Sequence, residues 1–91
     1  MDEKIAVRVA FIADDNANGE VTAVFDEKWE SANGIYSVCY AHVGQHGPCS
    51  QDWAMSCREA TPAEYANLLK ELNDLIGYDV EVVRLDNIKW A

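Results

Sequence analysis

Between residues 39 and 57 the chain gathers Cys39, His42, His46, Cys49 and Cys57, the nitrogen and sulfur donors that zinc and thiol chemistry use. His42, His46 and Cys49 read as H-x3-H-x2-C and form the minimal metal-binding trio. Structural zinc sites more often present Cys-x2-Cys pairs, or His-x3-His on a helix. Here His42 belongs to a stretch with strand character, and Cys39 and Cys57 are the size of small core hydrophobes. The spacing therefore leaves His42, His46 and Cys49 as weak metal candidates and predicts no cofactor. A cysteine nucleophile is the second reading, because a thiolate becomes reactive near neutral pH beside a protonated histidine or a helix N-terminus. Cys49 is the candidate, near His46 in a segment carrying Gly47 and Pro48, but no acid or oxyanion-stabilising group stands at a defined spacing to complete a catalytic set. The plainest role for His42, Gln45 and His46 is to satisfy loop backbone groups, since these side chains both donate and accept.

Two further patterns bear on binding. Asp14-x-Asn16-x-Asn18-Gly19 matches the first half of a calcium loop, but the twelfth position of that register is Phe25 where a bidentate Glu is required. A polar hairpin turn accounts for the same residues. Trp29, Trp53 and Trp90 lie near segment ends, where a partly exposed indole suits a protein interface. Core packing is the simpler expectation for Trp53; Trp29, between Lys28 and Glu30, suits partner contact equally well. The candidate binding residues are thus His42, Gln45, His46, Trp53 and Trp29.

The elements that must position them follow from periodicity. From Lys4 to Ala13, Ile5, Val7, Val9 and Phe11 alternate with Lys4, Ala6, Arg8 and Ala10, predicting a half-buried strand. The turn cluster from Asp14 to Gly19 leads into a second strand over 20–25, and the β-branched and aromatic stretch 35–43 predicts a third. Gly44 to Pro48 is expected to be a loop, because Pro48 has no amide donor for a central ladder. Alternation over 52–58 predicts a fourth strand, with a helical turn as the competing reading. Thr61-Pro62-Ala63-Glu64 is a capping box with Pro at the first helical position. It opens a helix over 61–76 whose apolar stripe contains Tyr65, Leu68, Leu69, Leu72, Leu75 and Ile76. Gly77 supplies the left-handed stop. A last strand follows over 78–85, and 86–91 is expected to be a loose tail that Trp90 anchors. The order β-β-β-β-α-β predicts a single α+β domain over 1–91, an antiparallel sheet of four to five strands with one helix on one face.

Composition narrows the function classes. With 91 residues, 49% of them hydrophobic, the chain has enough for one core and not two. Sixteen Asp and Glu against seven Lys and Arg leave a formal charge of −9, which repels phosphate backbones and anionic membranes. The expected partner is therefore another protein, with no direct nucleic-acid or membrane contact. No stretch is apolar enough for a membrane span and the N-terminus lacks a signal-peptide pattern, so a cytoplasmic location is expected. Three cysteines without an export signal predict reduced thiols over a disulfide framework.

Cys39-Tyr40-Ala41-His42-Val43-Gly44-Gln45-His46, Ser50-Gln51-Asp52-Trp53, Ala60-Thr61-Pro62-Ala63-Glu64-Tyr65-Ala66 and Gly77-Tyr78-Asp79 resemble a small family of bacterial proteins often encoded on integrative elements and plasmids. The likeness runs from about Val21 to Val83, with Arg58-Glu59-Ala60 standing where Arg-Pro-Ala is expected. It implies mobile-element cargo and carries no mechanism. The chain's shortness and its charge point to a non-enzymatic acidic protein-binding module or inhibitor, acting through the 44–53 loop and exposed strand faces. A variant is occupation of a basic nucleic-acid groove of a host defence factor. The alternative is a small metal- or thiol-dependent enzyme centred on 39–57.

Overall fold

The structure, a computed structural model, describes residues 5–28, 36–40 and 46–88. β1 (Ile5–Asp14) and β2 (Glu20–Lys28) form an antiparallel hairpin closed where Asp14 pairs with Glu20. Its connection is built by turn chemistry: the Asp14 carboxylate accepts the Asn16 N–H at 3.0 Å, and Asn18 and Gly19 take positive φ of 58° and 74°. The residues of the calcium-like half-motif are thereby used in the turn. β3 (Tyr36–Tyr40) pairs antiparallel with β2, and β4 (His46–Ser50) pairs antiparallel with β3 as the sheet edge.

β4 and the helix after it correct the expected order. The stretch around Pro48 is a strand and not a loop, because an edge position tolerates a residue without N–H when that residue's backbone faces outward. The expected fourth strand over 52–58 is instead helix α1 (Gln51–Ser56), followed by the two-residue strand β5 (Arg58–Glu59). The decisive local signal is Ser50, whose hydroxyl caps the Trp53 N–H at 3.2 Å.

α2 (Pro62–Lys70) starts at the expected capping box, with the Thr61 hydroxyl and Glu64 carboxylate each taking the other's backbone N–H. A π-helical stretch, Glu71–Ile76, continues it and stops at Gly77, whose φ is 91°. The wider i→i+5 winding rotates Leu75 out of the apolar stripe to 73% exposure while Leu72 stays fully buried. The helix from 62 to 76 is roughly 22 Å long, close to the roughly 20 Å that β1 covers between Phe11 and Ile5. It therefore returns the chain to the Ile5 end of β1, and β6 (Tyr78–Val82) runs alongside β1 in parallel. The sheet is accordingly mixed, mostly antiparallel, and among the described residues has six strands in five positions: β4, β3, β2, β1, and an outer position shared by β5 and β6. The fold class is α+β.

Both faces of the sheet are packed. Under α2 lie Val9, Phe11, Ala23, Phe25 and Tyr40, joined by Leu68 and Leu72. The opposite face buries Ala10, Ile12, Val24 and Cys49 against Ala54 of α1 and against Leu85 and Ile88. Thus β1 is not half-buried throughout: Val9 to Ala13 are at most 3% exposed. That fits the near-continuous apolar run of a strand covered on two sides. Ile88, in the segment expected to be loose, is 5% exposed and closes the second core. Both edges are blunted, by Pro48 on β4 and by the Asn73 side chain on β6, which accepts the Val80 N–H at 3.3 Å.

Candidate functional site

Of the residues singled out from the sequence, His42, Gln45, Trp29 and Trp90 lie outside the described residues. His46 opens β4, its backbone opposite Tyr40. Cys49 is buried in the second core, and Trp53, on α1, packs against the same core and is half-buried. Cys39 and Cys57 pack there too, so the three thiols of the 39–57 segment share one face of the sheet, none of them in a disulfide. Among the described residues no three His, Cys, Asp or Glu side chains converge as a metal site. Several described residues of the sequence motifs have folding roles. Tyr40 is a core residue, Ser50 and Thr61 are helix caps, Gly77 is a helix stop, and Tyr78 packs edge-on against Phe25 with ring centres 5.5 Å apart.

A different region has the geometry of a site. β5 runs down the edge of β1 and ends where the Ala60 N–H donates to the Phe11 carbonyl at 2.9 Å. β6 runs up the same edge and ends where the Val83 N–H donates to the Val9 carbonyl at 2.8 Å. The C-terminal ends of two strands therefore meet head to head beside Ala10. From there the chain departs to opposite faces, after β5 into α2 over the first core and after β6 to Leu85 over the second. Diverging exits from neighbouring strand ends leave a crevice in α/β sheets, and the same geometry opens one here, of about 270 Å³. The ring of Tyr65 stacks on Phe11 with centres 4.4 Å apart and an interplanar angle of 13°, forming one wall. Val82, 43% exposed, and Arg84 form the other. A larger concavity of about 520 Å³ continues from Pro62 and Tyr65 along the outside of α2 past Leu69 and Asn73.

Charged side chains tie the elements around the crevice to one another. Arg58 gives a two-pronged contact to the Glu64 carboxylate, both distances 2.7 Å, and its Nε reaches Asp15 at 3.0 Å. One guanidinium so ties β5 to the start of α2 and to the β1–β2 turn. The Arg58 fork, with the Thr61 backbone N–H, holds the Glu64 carboxyl far below its ordinary range, at about 2. Glu59 spans the two diverging arms: its carboxylate accepts the Leu85 N–H at 2.9 Å and lies 3.9 Å from Arg84. Sequence reasoning missed the crevice because it depends on β5, a two-residue strand too short to leave a periodic signal.

The lining holds one cation, one carboxylate, a stacked aromatic pair and aliphatic groups, with no Cys, His or Ser to serve as nucleophile or base. Such a surface offers shape, apolar contact and two opposite charges. No family model, curated protein or solved structure matches the chain. No helix among the described residues is long and apolar enough to cross a membrane.

Proposed function

We propose that this chain is a non-catalytic, acidic protein-binding module whose contact surface is the crevice between β5 and β6. The observation that carries the reading is the head-to-head meeting of the two strand ends. It places exposed Val82, the Phe11–Tyr65 stack and Arg84 around one opening. Aromatic and arginine side chains around an apolar centre are the composition that protein contacts favour. The charge of −9 favours a protein partner over nucleic acid or an anionic membrane, and the family resemblance adds the setting of a bacterial mobile element. The contact surface thus moves from the 44–53 loop to the opposite end of the sheet order. The test compares complexes isolated from the native host on wild-type protein, on Val82→Glu and on Met55→Glu, which alters an exposed apolar residue of α1. A protein held by wild type and Met55→Glu but lost from Val82→Glu supports the proposal. Retention by Val82→Glu, or no protein held by wild type, overturns it.

A further inference from the structure

The thiols on the second face carry an inference independent of the crevice. Cys39 on β3 stands opposite Gly47 of β4, and Cys49 stands opposite Ser37, so the two cysteines are diagonal neighbours on paired strands. Both belong to the same core, Cys49 buried and Cys39 half-buried. The Cys39 thiol also lies 3.5 Å from the Gly47 carbonyl, which turns it toward β4. We propose that Cys39 and Cys49 are an oxidation-sensitive dithiol, converted to a cross-strand disulfide by hydroperoxides.

The order of events follows from burial. Cys39, the more accessible sulfur, attacks the peroxide as thiolate, gains one oxygen as the sulfenic acid and releases hydroxide (from hydrogen peroxide) or alkoxide. The Cys49 thiol then attacks the Cys39 sulfur, the S–O bond breaks, and water leaves as the S–S bond forms. Two thiols lose two electrons to the peroxide. An accessible thiol of low pKa beside a resolving cysteine is the arrangement of redox-sensing cysteines. The hydrogen bond with the Cys49 side chain lowers the Cys39 pKa against the opposing effect of burial, whereas burial and the nearby Asp14 and Asp15 carboxylates raise that of Cys57. Cys57 is thereby the spectator. Diagonal partners start with Cα atoms about 7–8 Å apart and a disulfide prefers at most about 6.8 Å, so closure draws edge strand β4 inward by on the order of 1 Å. A bridge strained in this way is readily reduced, which makes the conversion reversible.

The test treats the folded 91-residue chain with hydrogen peroxide, quenches, unfolds it, labels thiols with iodoacetamide and measures intact mass. The expected result is one label per chain in place of three, on Cys57, with loss of two hydrogens and full recovery after dithiothreitol. Cys57→Ser should form the same bridge and lose both labels. Cys39→Ser should keep its two remaining thiols, whereas Cys49→Ala, lacking the resolving thiol, should keep only the Cys57 label and carry one added oxygen on Cys39, with circular dichroism confirming both folds. In wild type, three labels retained, added oxygen in place of lost hydrogen, or a bridge that includes Cys57 overturns the proposal.

Discussion

Replacing Tyr40 with Phe isolates one interaction that joins β3 to the π-helical stretch. Tyr40 is 1% exposed in the core under α2, and its hydroxyl donates to the Glu71 carboxylate. Phe retains the ring and its packing, so no cavity opens and the cost is confined to the hydroxyl. A hydrogen bond to a charged group contributes about 1.5–3 kcal/mol, and its loss takes a donor from a carboxylate held partly away from water. A domain of this length has a total stability of roughly 5–14 kcal/mol. The single oxygen is thus a sizeable share, equivalent to a melting-temperature drop of roughly 6–24 °C. The assay is thermal and urea unfolding of wild type, Tyr40→Phe, Glu71→Ala and the double variant. If the two side chains act on each other, the double variant loses less than the summed single costs, by about 1 kcal/mol or more. Tyr40→Phe melting with the wild type, or costs that add strictly, would refute the reasoning.

Three other outcomes are expected. Leu72→Ala empties a fully buried site between α2 and the sheet and should cost about 2–5 kcal/mol in urea unfolding. Because Arg58 and the Thr61 N–H hold the folded Glu64 carboxyl at about 2 against an ordinary 4.5, its contribution is complete above 4.5 and is lost as pH falls toward 2. Glu64→Gln should therefore melt below wild type at neutral pH, with the gap closing across that acidic window; a gap constant with pH counts against the Arg58 fork. Asn73→Ala uncovers the Val80 N–H on the β6 edge and should lower stability by about 0.5–1.5 kcal/mol while increasing self-association in analytical ultracentrifugation.

How much of this was legible in the sequence varies with the reach of the interaction. The β1–β2 hairpin, the capping box at Thr61 and the stop at Gly77 are local, and the residues that make them announce themselves. The stretch 52–58 reads as a strand, with a helical turn competing, because Trp53, Met55 and Cys57 alternate with smaller residues; the Ser50 hydroxyl caps the helix that forms instead. The strand at Pro48 depends on β4 being an edge, a property of the whole sheet. Leu75 left the predicted stripe because the helix widens after Lys70, which a regular 3.6-residue period does not anticipate. Of the anticipated site, Cys49 and Trp53 are used in packing. The crevice arises where β5 and β6, far apart in sequence, meet on one edge of β1.

The central claim, that the opening between β5 and β6 is where this protein meets another, is tested most directly by photo-crosslinking in the native host. A benzophenone side chain is placed at Val82 in one variant and at Met55 of α1 in another, both exposed positions. The account predicts a discrete protein adduct from Val82 that disappears when Tyr65→Ala removes the stacked wall, and no such adduct from Met55. An adduct from Met55 with none from Val82, or one from Val82 that survives Tyr65→Ala, would contradict it.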